Sequence, residues 1–451
     1  MSLTAEQLVR RIHDAPTRIV LAVAGGGSRA IAALLEVPGA TRTLLEAVVP
    51  YCERAMIDWL GGQPEQFCSE PTARAIAMAA YRRACHLASP GTAPVFAKRK
   101  WDCSPPQSED APSQSPPPQF PVAGVACTAS LASDRPKRGP HRTHLAIQTA
   151  AITVSQSIEF HKNRRSRGEE EHLVSGLVLN AIAEACGLEA RLDLELFPGE
   201  RIDEARLVAP QGWQELLAGS IDAVCEGGRA QPAAGWHAQN EVMGVGSSTC
   251  PQPRPSSLRA CHPAAAAQEA APAQSRSPVA VPRAIFPGAF NPLHAGHRRM
   301  AEIARKRLGI PVEFEISVEN VDKLPLDYLE IARRLEQFGR DQVVWLTRAA
   351  TFDEKTALFP GATFVVGTDT LRRIAEPRYY GGEAAACRAA LDRILARGSR
   401  FLVFGRQESG RFVSLADLDL PPDLKAACAG VPADDFHEDI SSTALRAAEE
   451  A

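Results

Sequence analysis

Residues 283–308 read RAIFPGAFNPLHAGHRRMAEIARKRL. Arg283 to Phe286 is a short apolar run. A loop follows, and the stretch from about Gly296 to Leu308 has a helical pattern stopped by Gly309. The same rhythm repeats outward from this unit. Val312, Phe314, Ile316 and Val318 alternate with polar residues, which predicts a strand. Residues 327–338 predict a helix, again stopped by a glycine, Gly339. Strands are expected at 342–347, 363–367 and 401–404, with a helix at about 383–396 before the last of them. Strand–helix alternation across 281–451 predicts an α/β domain with a Rossmann-like, doubly wound parallel sheet. Ligands in such sheets bind outside the C-terminal ends of the strands.

The loop after the first strand carries the chemistry. Gly288 permits close backbone approach to a ligand. His294 and His297 are three residues apart at the loop–helix junction, so helical geometry places both imidazoles on one side, beside free backbone N–H groups. A positive helix end with two imidazoles suits a phosphate. Two surface histidines at a helix start would give the same letters. Zinc is a weaker reading, because no third ligand stands at suitable spacing. Near the C-terminus, Ser441, Ser442 and Thr443 are N-cap residue types ahead of a helix-forming run, and Arg446 lies one turn on. Hydroxyls, N–H groups and a planar guanidinium can cradle phosphate oxygens there. A helix cap with a solvated arginine is the alternative.

GAFNPLHAGH resembles the signature of the HxGH nucleotidylyltransferases, and the 281–451 block is similar to the nicotinamide/nicotinate mononucleotide adenylyltransferases among them. Three further segments fall in the family's order: SVENVDKLPL, FVVGTDTLRRI and ISSTALR. The resemblance implies transfer of AMP from ATP, with Mg²⁺, to a mononucleotide phosphate, with release of pyrophosphate. It implies catalytic roles for His294, His297 and Arg446. It implies ATP or acceptor binding by Gly288, Ala289, Phe290 and Asn291, by Lys323, by Gly367 and Asp369, and by Ile440, Ser441, Ser442 and Thr443. Bacterial members carry a tryptophan after the G-x-D-x-L turn, where this chain has Tyr379 and Tyr380. That leaves the acceptor base open, and a CTP donor or another phosphate acceptor is the alternative within enzymes.

The N-terminal block, about 1–230, begins with an expected strand at 18–23, a Gly25-Gly26-Gly27-Ser28 loop and a helix from Arg29. EEEHLVSGLVLNAIAEACG (169–187) predicts an amphipathic helix with Leu173, Val174, Leu177, Val178 and Ala181 on its apolar stripe and Gly187 just past its end. The charged run HKNRRSRGEEE before it reads as a solvated turn and helix start. LAVAGGGSRAIAALLEVPGA, EAVVPYCERAMIDWLGG, CSEPTARAIAMAAYRRA and VAGVACTASLA together resemble the C-terminal domain of the competence-damage (CinA) family, the nicotinamide-mononucleotide amidases. In that alignment Gly25 stands at the serine nucleophile, Met56 stands at the lysine paired with Tyr51, and Thr128 keeps a later threonine. The resemblance therefore implies an amidase-like α/β domain without an activated attacker.

Of the 451 residues, 45% are apolar and 23% charged, which excludes a wholly disordered or fibrous chain. The net charge of -3 gives no electrostatic footprint for nucleic acid or an anionic membrane. The longest early apolar run, Ile19–Gly27, is far shorter than the roughly 20 residues that span a bilayer. The 11 cysteines form no C-x-x-C pair, which favours reduced thiols and a cytoplasmic location. Prolines cluster between Pro90 and Pro121 and again between Pro232 and Pro282, in stretches with no periodicity. The first predicts an insertion loop (91–121) in the N-terminal block and the second a linker (231–280) ahead of the C-terminal domain. Unspliced coding sequence would have the same look. A homo-oligomer is compatible with this reading. A non-catalytic nucleotide sensor or scaffold is the alternative outside the enzymes.

Overall fold

The computed structural model describes residues 3–89, 120–135, 137–227, 282–319, 324–408 and 411–436. The expected insertion loop and linker lie outside these, apart from residues 120 and 121. Among the described residues, 1–229 and 282–451 form one compact unit with two α/β lobes, each built on its own sheet.

The N-terminal lobe opens with α1 (Ala5–Asp14), capped by Thr4 and Gln7, then β1 (Arg18–Ala24), α2 (Ser28–Glu36), the short α3 (Ala40–Thr43) and β2 (Leu44–Val48). Next come α4 (Glu53–Leu60), α5 (Glu70–Ala88), β3 (Val122–Ser130), β4 (His141–Thr149), β5 (Ile152–Phe160), α6 (Arg167–Ala185) and β6 (Asp203–Val208). The sheet runs β2-β1-β3-β4-β5-β6, parallel across its first three strands and antiparallel beyond. Ile19, Leu21 and Val23 alternate with Val20, Ala22 and Ala24, yet all six are buried, because helices cover both faces. The alanines of α5 let it lie close on the sheet. A Cβ added to Gly124 of β3 would come within 2.1 Å of the Ala77 carbonyl oxygen, so helix and strand are in near backbone contact.

The second lobe begins before the expected boundary at 230. Helix α7 (Gln211–Ala218) and β7 (Ala223–Glu226) belong to it, with Trp213 and Leu216 in its core. After them come β8 (Ala284–Pro287), α8 (Ala295–Leu308), β9 (Val312–Ser317), α9 (Tyr328–Leu335), β10 (Val344–Thr347), α10 (Phe352–Leu358) and β11 (Thr363–Gly367). Then follow α11 (Thr368–Ile374), α12 (Ala384–Ala396), β12 (Arg400–Phe404), a hairpin of β13 (Arg406–Glu408) and β14 (Arg411–Val413), α13 (Pro422–Ala426) and β15 (Cys428–Val431). The sheet order is β15-β12-β11-β8-β9-β10-β7, parallel except for β7, which pairs antiparallel to β10. The chain builds outward from β8 through β9 to β10, then returns to the other side of β8 with β11 and β12. The winding thus reverses beside β8, and a doubly wound sheet opens its ligand crevice there.

Candidate active site

The loop leaving β8 is fixed from several directions. The Gly288 N–H donates to the Glu315 carbonyl at 2.9 Å, and a Cβ at Gly288 would fall 2.6 Å from the ring of Phe290. Glycine is therefore required by the close packing of Phe290. Phe290 itself has φ +45°, in the left-handed region that a bulky residue rarely adopts. Its ring is 1% exposed and meets Phe286, Phe314, Phe338 and His297 edge-on. Phe290 pins the loop to the core, so any ligand contact it makes is through its backbone.

His294 caps α8, and its N–H points at Nδ1 of His297 across 3.4 Å. The two rings stack with centroids 3.7 Å apart and planes 23° apart, and His297 also packs against Phe286. The i, i+3 spacing therefore brings both imidazoles to one side, as expected. The far side of the loop is held by α9 and the turn after it. That helix ends at Leu335, short of the expected Phe338, and the turn lets Gln337 reach back. The Gln337 side chain donates to the Phe290 carbonyl at 3.0 Å and accepts from the Leu293 N–H at 2.7 Å. Arg334 donates to the Ala289 carbonyl at 3.0 Å, and Arg333 donates to the Asn291 side chain.

A pocket opens beside this loop, lined by Gly288, Ala289, Glu315, Ser317, Arg334, Phe352, Lys355, Arg373, Tyr379 and Tyr380. Both tyrosines noted in the sequence reach it. Tyr380 is oriented by donating to the Ile374 carbonyl at 2.9 Å. Lys355 donates to both carboxylate oxygens of Glu315, at 2.7 and 2.8 Å, and to the Ala349 carbonyl at 2.8 Å, while Thr347 donates to the same carboxylate. This buried pair is neutral overall, and its partners offset the cost of taking both charges out of water. The pocket lining does not include His294 or His297. Gly367 and Asp369 stand at the start of α11. Asp369 pairs with Arg406 of the hairpin and, at 3.5 Å, with Arg372. A Cβ at Gly367 would meet nothing within 4 Å, so packing does not demand glycine there. Lys323, Ile440, Ser441, Ser442, Thr443 and Arg446 lie outside the described residues.

The glycine loop of the N-terminal lobe is built differently. The Glu171 carboxylate of α6 accepts from the Gly27 N–H at 3.0 Å, the Ser28 hydroxyl at 2.8 Å and the Arg29 N–H at 3.3 Å. A side chain thus occupies the N-terminus of α2, where a phosphate would sit. Gly25 has φ +80°, and a Cβ on it would lie 1.9 Å from the Ala129 carbonyl oxygen. No serine fits at that position without moving β3. Met56 is buried in the core and Tyr51 is 73% exposed. The charged run before α6 is correspondingly more than a solvated turn. Glu170 is fully buried against His141 at 2.7 Å, and Arg165 pairs with Glu200 at 2.7 Å.

Residues 285–448 match the model of the cytidylyltransferase-like family. That match supports a nucleotidyltransferase. A search of curated proteins gave no match. Among solved structures, the competence/damage-inducible protein of Agrobacterium tumefaciens is similar at 18% identity, covering 42% of this chain and 98% of its own, with a TM-score of 0.29. The competence or damage-inducible protein of Enterobacter asburiae gives 15% identity, 41% and 98% coverage, and a TM-score of 0.28. A competence-damaged (CinA) superfamily protein of Escherichia coli gives 13%, 41%, 87% and 0.26. The family-model match agrees with the nucleotidylyltransferase resemblance of the C-terminal block at that coarser level. Among the described residues no helix is long and apolar enough to cross a membrane, and no three His, Cys, Asp or Glu side chains group as metal ligands.

Proposed function

We propose that the C-terminal lobe transfers AMP from ATP to the phosphate of a mononucleotide, nicotinamide or nicotinate mononucleotide first among them, and releases pyrophosphate. The observation that carries this is the β8–α8 loop. Two stacked imidazoles stand at a helix N-terminus beside the winding reversal of the sheet, inside the segment that matches the cytidylyltransferase-like family.

The reaction asks little covalent chemistry of the protein. An oxygen of the acceptor phosphate, already an anion at neutral pH, attacks the α-phosphorus. The bond from that phosphorus to the bridging oxygen breaks, and pyrophosphate leaves with the electron pair. No proton must be removed first. Catalysis then rests on alignment and on stabilising the charge that builds at the five-coordinate phosphorus. His294 and His297 would meet the donor phosphates, with the α8 N-terminus adding its dipole. The aromatic wall of Tyr379, Tyr380 and Phe352 would take the acceptor base. Asp369 would exchange Arg406 for ribose hydroxyls, and Lys323, Arg446 and the 440–443 segment would hold the remaining phosphates. Mg²⁺ would arrive as part of the substrate, bound by triphosphate oxygens.

The test is pyrophosphate release by the full-length protein with Mg²⁺, with ATP or CTP as donor and a panel of mononucleotides as acceptors. Release with ATP and a pyridine mononucleotide alone is expected. Release with CTP only would move the protein to cytidylyl transfer. ATP binding without release from any pair would favour a nucleotide sensor.

A further inference from the structure

We infer that the N-terminal lobe is a working part of the transferase site, and that Arg74 of α5 is a positioning residue for the β8–α8 loop; the kinetic arm of this inference rests on the function proposed above. The argument is an unbroken chain of polar contacts. Arg74 donates to both oxygens of Asp327, at 2.7 and 2.9 Å, and its side chain and that of Asp327 are 6% and 5% exposed. Asp327 is the N-cap of α9 and accepts from the Glu330 N–H at 3.1 Å. The Glu330 carboxylate in turn accepts from Arg333 at 2.6 and 2.9 Å and from Arg334 at 2.8 Å. Those two arginines are the ones that hold Asn291 and Ala289 of the loop.

Other contacts seat this helix and the segment ahead of it on the N-terminal lobe. Tyr328, fully buried, donates its N–H to Thr153 at 3.1 Å and its hydroxyl to the Ala150 carbonyl at 2.5 Å. Arg82 of α5 reaches the Val318 carbonyl at 3.4 Å, and Leu324 packs against the apolar cluster of Met56 and Ile76. Helix α9 therefore has one end planted in the N-terminal lobe and the other on the loop that bears His294 and His297. A buried ion pair is weak evidence for stability, since desolvation cancels much of its attraction. Such a cluster does fix geometry: Nη1 of Arg74 spans both Asp327 oxygens while its Nε lies 2.8 Å from Glu70 and its Nη2 3.8 Å from Glu330, so three carboxylates orient the planar guanidinium.

The test uses the full-length chain. Arg74→Met alone would strand a buried carboxylate and endanger the fold, so it is combined with Asp327→Asn, which keeps a cap on α9 while removing both charges. Arg74→Lys keeps the charge but loses the planar group that faces Asp327, Glu70 and Glu330 together. Turnover and KM are measured by pyrophosphate release, well below each variant's Tm. The expected result is a fall in kcat of about 10- to 100-fold in the double variant, with KM for ATP nearly unchanged, and a smaller fall in Arg74→Lys. Unchanged kcat in a folded double variant would overturn the inference. Hydrogen exchange decides the same point without turnover: amides 288–297 should exchange faster in the double variant, while those of β1 should not. Unchanged exchange at 288–297 would overturn it too. A wild-type chain inert with every substrate pair would instead sink the proposed reaction, and the exchange arm would still judge the positioning role.

Discussion

The chain contains the same local device twice. In both lobes a parallel strand runs into a glycine loop and then a helix: β1, Gly25–Gly27 and α2 in one, β8, Gly288 and α8 in the other. In the C-terminal lobe the helix start carries two imidazoles, and its loop is braced from outside by Gln337, Arg333 and Arg334. In the N-terminal lobe the helix start is filled by Glu171 from α6. The difference teaches that a glycine loop before a helix specifies only a place where an anion is favoured. What a distant element brings to that place decides whether the anion is a substrate or the protein's own carboxylate.

The harshest test of the comparison removes one half. The proline-rich stretch invites a cut at about 281, but a fragment of 282–451 would lose β7 and α7 and uncover Tyr328 and Asp327. We expect it to be insoluble or without activity beside an active full-length chain. A soluble fragment with full turnover would show that the C-terminal lobe is self-sufficient.

Next in size are substitutions at the two helix starts. His294→Ala or His297→Ala should lower turnover about 100- to 1,000-fold, since a donor placed where charge develops acts mainly on the transition state. Ser28→Ala, at the equivalent place in the other lobe, should leave pyrophosphate release unchanged and reveal no loss of ammonia release from nicotinamide mononucleotide, because none is expected from the wild type. Ammonia release abolished by Ser28→Ala would mean that the N-terminal loop is a working nucleophile site.

Acid should loosen the bracing of the C-terminal loop. Burial pushes the Glu330 carboxyl up, but Arg333 and Arg334 outweigh it and hold the group at about 2, below its usual 4.5. The pair's contribution is full above pH 4.5 and fades as the pH falls toward 2, an effect on the order of 3 kcal/mol when fully lost. Unfolding curves between pH 5 and 2.5 should show the decline, and Glu330→Gln should flatten that share of it. An identical slope in the variant would remove Glu330 from the account.

Much of the second lobe was legible because its strands and helices are short and patterned. The strands at 284–287, 312–317, 363–367 and 400–404 and helix α8 stand within a residue of their expected limits. Misreadings arose where the pattern is ambiguous. In VEFEISV the alternation marks a strand but does not show that β9 lies inside a sheet covered on both faces, where Glu315 is 1% exposed and pairs with Lys355. That lysine sits on α10, whose seven residues are too few to show a helical period. β7 is four residues long and pairs with β10, 118 or more positions away in sequence, so no local signal placed it in the second sheet. Gln337 and Arg334 look like ordinary solvent-facing helix residues until the loop they hold is present.

The smallest expected effect concerns Glu171 itself. Its carboxylate accepts two backbone N–H groups and a hydroxyl at the start of α2, at 3.0, 3.3 and 2.8 Å. Glu171→Gln keeps the length and one acceptor oxygen but removes the charge that the helix dipole favours and turns the second oxygen into a donor. That donor would face a backbone N–H group, so one attractive contact becomes repulsive. The site is partly open to water, which can replace the lost acceptor, and a typical exchange of this kind costs about 1–2 kcal/mol. Denaturant unfolding should therefore show a modest loss of stability, while pyrophosphate release stays at the wild-type rate, because nothing in the contacts of Glu171 leads to the C-terminal loop. Glu171→Ala should cost somewhat more, since water must then serve every freed N–H. A gain in stability from either change would mean that the carboxylate is strained in its place, and the two loops would then differ by a tension held in the N-terminal lobe instead of by a favourable plug.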